Sequence, residues 1–539
     1  MTSASLAAPR PSIGPYIGDK TLVRWALVAL GILTMVRIGA LFVTPLELYP
    51  DEAQYWLWSR TLDFGYYSKP PMIAWLIAAT TAIGGNGEAW VRLSGPLLHM
   101  ITAMALYATG RALGGARNGM RIGLIAGLIY SLMPAVQLSS FALSTDAPLL
   151  AALSVSLWLY VRISEARLEQ DNDMPTHPTH PALFAGLGLA LGMAFLSKYA
   201  ALYFAGGFVA HSVLVPSARQ RWTPVGLMLC LGVFALVISP NLIWNATHGF
   251  QTVSHTADNA AWDPSKLGNP LSLLRFWGGQ VGVFGPVAMA GLVLAGLSLT
   301  KTARSELRPS HGLWLVAGLC LLPLLLVSIQ AFLSRAHANW AATAYLGASL
   351  WVACLWIRSE RVQLWLAALA CLHGALALLV LSILFAPSLA TPLGLDNSLK
   401  RVRGWAALTQ TILAEARQQP NLSAIAVDDR FLFNAMAYYG RDQWKDISLP
   451  PLKAWVREAS PQSQPEHQHP LTPEQGTRVL AVSLVPTFTE EFRRDFNRHS
   501  ALGQRQVRLD PKRTRDVTVF IGKDFNPRPR DPVTGHPMP

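Results

Sequence analysis

Two neighbouring stretches gather side chains able to move a proton and to meet an anion. In ELYPDEAQYWLWS, residues 47–59, the carboxylates Asp51 and Glu52 stand side by side among Tyr49, Tyr55, Trp56 and Trp58. Soon after, FGYYSKPPMIAW sets Lys69 between the pair Tyr66 and Tyr67 and two prolines. A carboxylate can accept the proton of an attacking hydroxyl, and an ammonium group can meet a phosphate as a point charge. A solvated loop would explain two acids, but not this density of aromatics, only part of which an interfacial belt would use.

Further candidates follow along the chain. Asp146, in STDAPLL, is either the cap of a helix or a second active-site carboxylate. Lys198, in FLSKYAAL, is either a lysine reaching for the interface or another phosphate contact. His248 and His255 stand seven residues apart, close enough to be neighbours on a helix but with no metal-ligand signature. SRAHANW adds Arg335, His337, Asn339 and Trp340.

The elements that must position these residues are membrane helices. Of 539 residues 51% are hydrophobic and 14% charged, against about 25% charged in an ordinary soluble protein. Mean hydropathy is +0.31. Apolar runs long enough to cross a hydrocarbon layer fall near 22–43, 91–110, 122–138, 147–162, 181–197, 199–215, 223–243, 284–300, 312–331, 340–357 and 362–386, which predicts about 11 spans. The shorter 71–83 reads as a re-entrant or interfacial helix. The polar residues 1–21 followed by so long an apolar segment read as a cytoplasmic tail and a first span, not a cleaved signal. Lys20, Arg24, Arg111, Arg117, Arg121, Arg162, Arg167, Arg219, Arg221, Lys301, Arg304, Arg308, Arg358 and Arg361 then all fall on one side. The positive-inside rule makes that side cytoplasmic. The candidate residues share the opposite face, and the odd span count puts the C-terminal part there too.

That part, 387–525, reads as a small α/β domain. AIAVDD (424–429), RVLAVSLV (478–485) and VTVFIG (517–522) suit strands, and 401–417 and 431–439 suit helices. A loop rich in proline, glutamine and histidine (460–470) and a disordered end (526–539) complete it. Cys230, Cys320, Cys354 and Cys371 lie in apolar runs and read as packing residues. The net charge of +13 suits loops facing anionic headgroups of membrane lipids. No nucleotide fingerprint, phosphate-binding glycine loop, HExxH motif or nucleic-acid module is present, so no nucleotide cofactor is expected.

YPDEAQYWLWS and FGYYSKPPMIAWL, continued by STDAPL, FLSKY, SPNLIWNATHGF and RAHANW, resemble the GT-C class of membrane glycosyltransferases. The resemblance is nearest to the family-39-like branch of aminoarabinose transferases, and more remote to protein O-mannosyltransferases. It covers about 22–386. It implies a sugar donor on polyprenyl phosphate, used at the periplasmic face of a bacterial inner membrane by an inverting mechanism. The acceptor would be lipid A, another glycan or a protein. In that pattern Asp51 matches the catalytic acid, with Glu52 supporting it, Lys69 the lysine on the donor phosphate, and Asp146 the second acid. Tyr66, Tyr67, Lys198, His248, His255, Arg335 and His337 are the further substrate-binding candidates. Ser68 stands where the aminoarabinose transferases have a metal-holding glutamate. A divalent metal held by His255 or His248 therefore stays an open alternative. From other function classes, a flippase or transporter of a lipid-linked glycan is the main alternative, followed by a scaffold that has kept the fold without the chemistry.

Overall fold

The computed structural model describes residues 19–166, 168, 180–258, 268–304, 310–446, 449–531 and 538. Residues 1–18 of the expected tail, Arg167 and Arg308 of the expected basic loops, and residues 532–537 and 539 of the expected disordered end lie outside the described residues.

The peripheral helices carry apolar side chains that no protein covers. Thr21–Val43, Pro224–Thr247 and Val362–Phe385 leave Trp25, Ile32, Met228, Leu236 and Leu378 exposed. A helix satisfies its own backbone, so such a surface is stable in hydrocarbon. Asp146–Ser164 is the opposite case, 78% buried. It packs through Leu149, Leu153, Leu157 and Tyr160 in the main apolar core, between Ser94–Ser131 and Pro181–Ser197. The most enclosed of the five long spans therefore carries Asp146 at its first position.

Among the described residues five helices are long and apolar enough to cross a membrane. A sixth span results if Pro270–Phe284 and Pro286–Leu299, bent by 113°, count as one. This is fewer than the 11 expected, and length is the reason. Pro181–Ser197, Ala201–Leu214 and Ala344–Ile357 have only 17, 14 and 14 residues. The expected spans 91–110 and 122–138 merge into one run, Ser94–Ser131. That run reverses at Gly115 (φ 61°), a conformation glycine adopts without strain. Its halves pack backbone against backbone: a Cβ on Gly110 would lie 2.5 Å from Gly123 Cα, and one on Gly123 2.3 Å from the Tyr107 carbonyl oxygen. Small residues allow this approach between helices in membranes. The 71–83 stretch forms the 13-residue helix Met72–Gly84.

The short helix Pro50–Trp58 is fixed by a buried ion pair. Proline at its first position and the Glu52 carboxylate, which accepts the Tyr49 N–H at 2.8 Å, start the helix. Arg92 donates to Glu52 at 3.0, 3.1 and 2.8 Å, and its remaining N–H groups reach the carbonyls of Leu46 (3.0 Å) and Glu47 (2.7 Å). The Leu143 N–H donates to Glu52 Oε1 at 2.8 Å. Both side chains are at most 3% exposed.

The C-terminal domain is a mixed sheet, five-stranded among the described residues: β1 Ala424–Val427, β2 Leu452–Ala454, β3 Arg478–Ser483, β4 Phe496–Asp510 and β5 Arg513–Phe525, in the order β2-β1-β3-β5-β4. β1 pairs in parallel with β2 and β3, and β5 antiparallel with β3 and β4. Alternate residues of β1 serve two cores. Ile425 and Val427 pack with the helices Trp405–Gln418 and Arg430–Tyr439, and Ala424 and Ala426 with Trp455, Phe492 and Phe520. Residues 526–530, expected as part of a disordered end, are tied to Asp495. Its backbone carbonyl accepts the Asn526 N–H at 2.8 Å, and its carboxylate meets the Arg528 N–H at 2.9 Å and the Arg530 guanidinium at 2.8 Å.

This domain docks on Pro50–Trp58. Trp56 meets Tyr438 edge-on at 5.0 Å, the Tyr438 hydroxyl donates to the Asn86 carbonyl at 2.7 Å, and the Tyr439 hydroxyl donates to Glu88 at 2.5 Å. The Glu47 carboxylate accepts the N–H groups of Trp405 and Ala406, at 2.5 and 3.2 Å, at the start of Trp405–Gln418, where the helix dipole favours an anion.

Removing one partner of a buried ion pair costs about 3–5 kcal/mol. Glu52→Gln should therefore lower the thermal unfolding midpoint in detergent and reduce activity with it. A variant inactive at an unchanged midpoint would place Glu52 in the chemistry instead.

Candidate active site

A cavity of about 290 Å³ opens where the membrane helices meet the C-terminal domain. Asp51, Gln54 and Tyr55 line it from one face of Pro50–Trp58, at the spacing that brings helical side chains together. Ser68 and Lys69 come from the loop after that helix, and His255 from Gln251–Asp258. His337, Asn339 and Trp340 belong to the turn before Ala344–Ile357, and Arg430 is the first residue of its helix in the C-terminal domain.

Aromatic packing holds the lysine loop. Tyr66 lies flat on Trp58, with centroids 4.7 Å apart and planes 3° apart. Its hydroxyl accepts the Asp63 N–H at 3.1 Å and lies 3.1 Å from the carbonyls of Trp58 and Thr61. The Tyr66 N–H donates to the Lys69 carbonyl at 3.1 Å, closing the turn that presents the lysine. The Thr252 hydroxyl donates to the Tyr66 carbonyl at 2.6 Å and ties the turn to the His255 helix.

Burial, and then the charge of Lys198, lower the Lys69 pKa from its ordinary value, while Asp51 and Asp146 oppose the shift. An ammonium so placed gains most when an anion arrives. Burial, with Asp51 next, raises the Tyr55 hydroxyl well above its usual range. Burial, followed by the charges of Lys69 and Arg430, lowers His255 to about 4, so its ring is neutral at pH 7. Neither Asp51, Lys69 nor Arg430 has a hydrogen-bond or ion-pair partner for its charged group among the described residues. The buried Gln54 Oε1 lacks a partner as well.

The structure thus brings Asp51, Lys69, His255 and His337 together. Asp146 stands behind the wall: Lys198 Nζ meets one of its oxygens at 2.7 Å, and Asn339, which lines the cavity, donates to the other at 2.8 Å. This pair orients Asn339. Other candidates lie elsewhere. Glu52 is enclosed with Arg92, and Tyr66 is a packing residue. Tyr67 faces the C-terminal domain, its N–H on Gln464 at 2.8 Å and its ring between His255 (5.5 Å) and His467 (5.4 Å). His248 is exposed and stacked on Trp244 at 4.2 Å. Positive φ at Gly249 and Phe250 separates it from the helix of His255, so the seven-residue spacing has no helical meaning. Arg335 is exposed, outside the cavity.

Gln54, Tyr55 and Arg430 were missed by sequence reasoning. The first two follow from Asp51 once a helix starts at Pro50. Arg430 carries no local signal, because only tertiary docking brings it here.

The residues do not fit a divalent metal. Ser68 replaces the implied glutamate, His255 stands beside two cations, and His248 is outside the cavity. Among the described residues no three His, Cys, Asp or Glu side chains converge on a metal position.

Residues 68–244 match the family Dolichyl-phosphate-mannose-protein mannosyltransferase. The chain is 35% identical over 422 residues to a lipid A galacturonosyltransferase, RgtD, of Rhizobium johnstonii, covering 77% of this chain and 82% of the relative. It is 25% identical over 238 residues to an undecaprenyl phosphate-alpha-4-amino-4-deoxy-L-arabinose arabinosyl transferase of Pseudomonas fluorescens, covering 41% and 37% of the two chains. The crystal structure of ArnT from Cupriavidus metallidurans shares the fold, with a TM-score of 0.62 at 15% identity over 93% of this chain and 98% of that one. The chain belongs to the GT-C family of multi-pass bacterial inner-membrane glycosyltransferases, enzymes that move a sugar from a polyprenyl-phosphate-linked donor to a lipid or glycan acceptor.

Proposed function

We propose that this enzyme transfers a galacturonosyl residue from a polyprenyl-phosphate donor to lipid A, at the periplasmic face and with inversion at the anomeric carbon. The observation that carries the mechanism is the cavity itself, in which an acid and a lysine without protein partners share one wall region. The relative at 35% identity supports the sugar and the acceptor. The acceptor hydroxyl attacks C1 of the sugar as Asp51 takes its proton. The C1–oxygen bond to the lipid phosphate breaks, and Lys69 meets the charge that develops on the departing phosphate. Asn339, held by the Asp146–Lys198 pair, and neutral His255 are hydrogen-bonding groups for the sugar. In this reading the membrane domain, 22–386, makes 11 crossings: the five long spans, the bent pair 270–299 as one, both halves of Ser94–Ser131, and Pro181–Ser197, Ala201–Leu214 and Ala344–Ile357. Met72–Gly84 is left as a re-entrant or interfacial helix, and 387–525 and the cavity are then periplasmic.

The test is purified enzyme in detergent with a panel of polyprenyl-phosphate sugars and lipid A, products read by mass spectrometry. Gain of a hexuronic acid mass on lipid A supports the reading, and transfer of another sugar or to another acceptor overturns it. Asp51→Asn should lower kcat by roughly 10²–10⁴-fold, the range for loss of a general base. Its unfolding midpoint should change by far less than that of Glu52→Gln, since the Asp51 carboxylate makes no hydrogen bond or ion pair among the described residues. Wild-type turnover in this variant would remove Asp51 from the mechanism.

Lys69→Gln should lower kcat, because Lys69 meets charge that develops on departure. It should also raise KM for the donor lipid by roughly 10- to 100-fold, as expected for a hydrogen bond to a charged group, with a much smaller change in KM for the acceptor. Equal effects on both substrates would refute its phosphate role.

A further inference from the structure

Resting on the reading of a uronosyl donor, we infer that Arg430, supplied by the C-terminal domain, is the residue that selects the sugar by its carboxylate. The cavity holds two cations of different kinds on different domains. Lys69 lies on the loop that runs through Pro70 and Pro71 into the apolar helix Met72–Gly84, on the membrane-helix side of the cavity. Arg430 comes from the opposite, soluble side, at the end of a donor that projects away from its lipid.

Local structure makes Arg430 a rigid reader. It opens its helix three residues after β1 ends at Val427, at the carboxyl end of the parallel strands, where open α/β sheets hold ligands. Asp429, the carboxylate adjacent in sequence, caps that helix with its Oδ1, which accepts the N–H groups of Phe431 (2.8 Å) and Leu432 (3.1 Å). The guanidinium lies 4.8 Å from the centre of the Phe431 ring and has no ion-pair partner among the described residues. A planar fork supported on an aromatic face matches a carboxylate in two parallel hydrogen bonds, which a lysine cannot do. One phosphate linking sugar to lipid needs only the Lys69 side of the cavity, leaving the fork for a second anionic group. A hexuronic acid carries that group on C6. A neutral hexose does not.

The experiment compares polyprenyl-phosphate galacturonic acid with polyprenyl-phosphate galactose, which differ only in carboxylate against hydroxymethyl at C6. Wild type, Arg430→Gln and Arg430→Lys are assayed, with unfolding midpoints recorded for all three. The wild type should prefer the uronosyl donor by roughly 10- to 100-fold in kcat/KM, the span expected of a charge-assisted hydrogen bond. Arg430→Gln should lose most of that preference through the uronosyl donor, with less than about a threefold effect on the galactosyl donor, and Arg430→Lys should restore part of it. If Arg430→Gln slows both donors equally, or slows neither, the selection role is overturned while the function stands. If the wild type uses no uronosyl donor, the proposed function fails first and takes this inference with it.

Discussion

The buried pair of Glu52 and Arg92 is the constraint on which the site depends. Taking two charges out of water is expensive, and the cost is recovered only when the remaining hydrogen-bonding capacity is also used. Here it is used on the backbone. The pair holds the Tyr49 and Leu143 N–H groups and the Leu46 and Glu47 carbonyls, so three separate segments converge on one point. Asp51 lies one residue from this point, and Asp146 three residues beyond Leu143. Two carboxylates adjacent in sequence therefore do opposite work. One helical step sends Glu52 into the protein and leaves Asp51 at the cavity.

A second set of contacts continues outward from the same place. The carbonyl of Glu47 accepts from Arg92 while its carboxylate caps Trp405–Gln418 in the C-terminal domain. Tyr438 and Tyr439 fasten the far end of the helix that begins with Arg430. The acid, the lysine loop and the arginine are thereby referred to one local frame, although more than 370 residues of chain separate Asp51 from Arg430.

Much of this was legible in the sequence where the physics is local. Apolar runs marked the membrane helices, and AIAVDD and RVLAVSLV, read as strands, became neighbouring parallel strands. Phe496–Asp510 was not legible, because this edge strand exposes most of both faces and has no alternation to detect. The span count was read from composition, while the short helices and the reversal at Gly115 depend on how neighbours pack. In the site, Asp51, Lys69, His255 and His337 could be named because residue type and segment were enough. Glu52, Tyr66 and His248 looked equivalent to them until burial, ring stacking and the break at Gly249 separated them. Arg430 could not be found by any local pattern.

The wall carrying Arg430 belongs to the C-terminal domain, whose sheet cores lie apart from the core that encloses the membrane helices, although Tyr438 on the same helix shares a cluster with Trp56 and Trp58. On the proposed roles, the group that would read the sugar and the groups that would break the bond lie on different parts of the chain, so change in the soluble part would alter the first and spare the second. On the same reading, lineages sharing this membrane framework would diversify their products through a docked domain, and a chimera exchanging 387–525 would have to keep the contacts of Tyr438, Tyr439 and Trp405 with Asn86, Glu88 and Glu47.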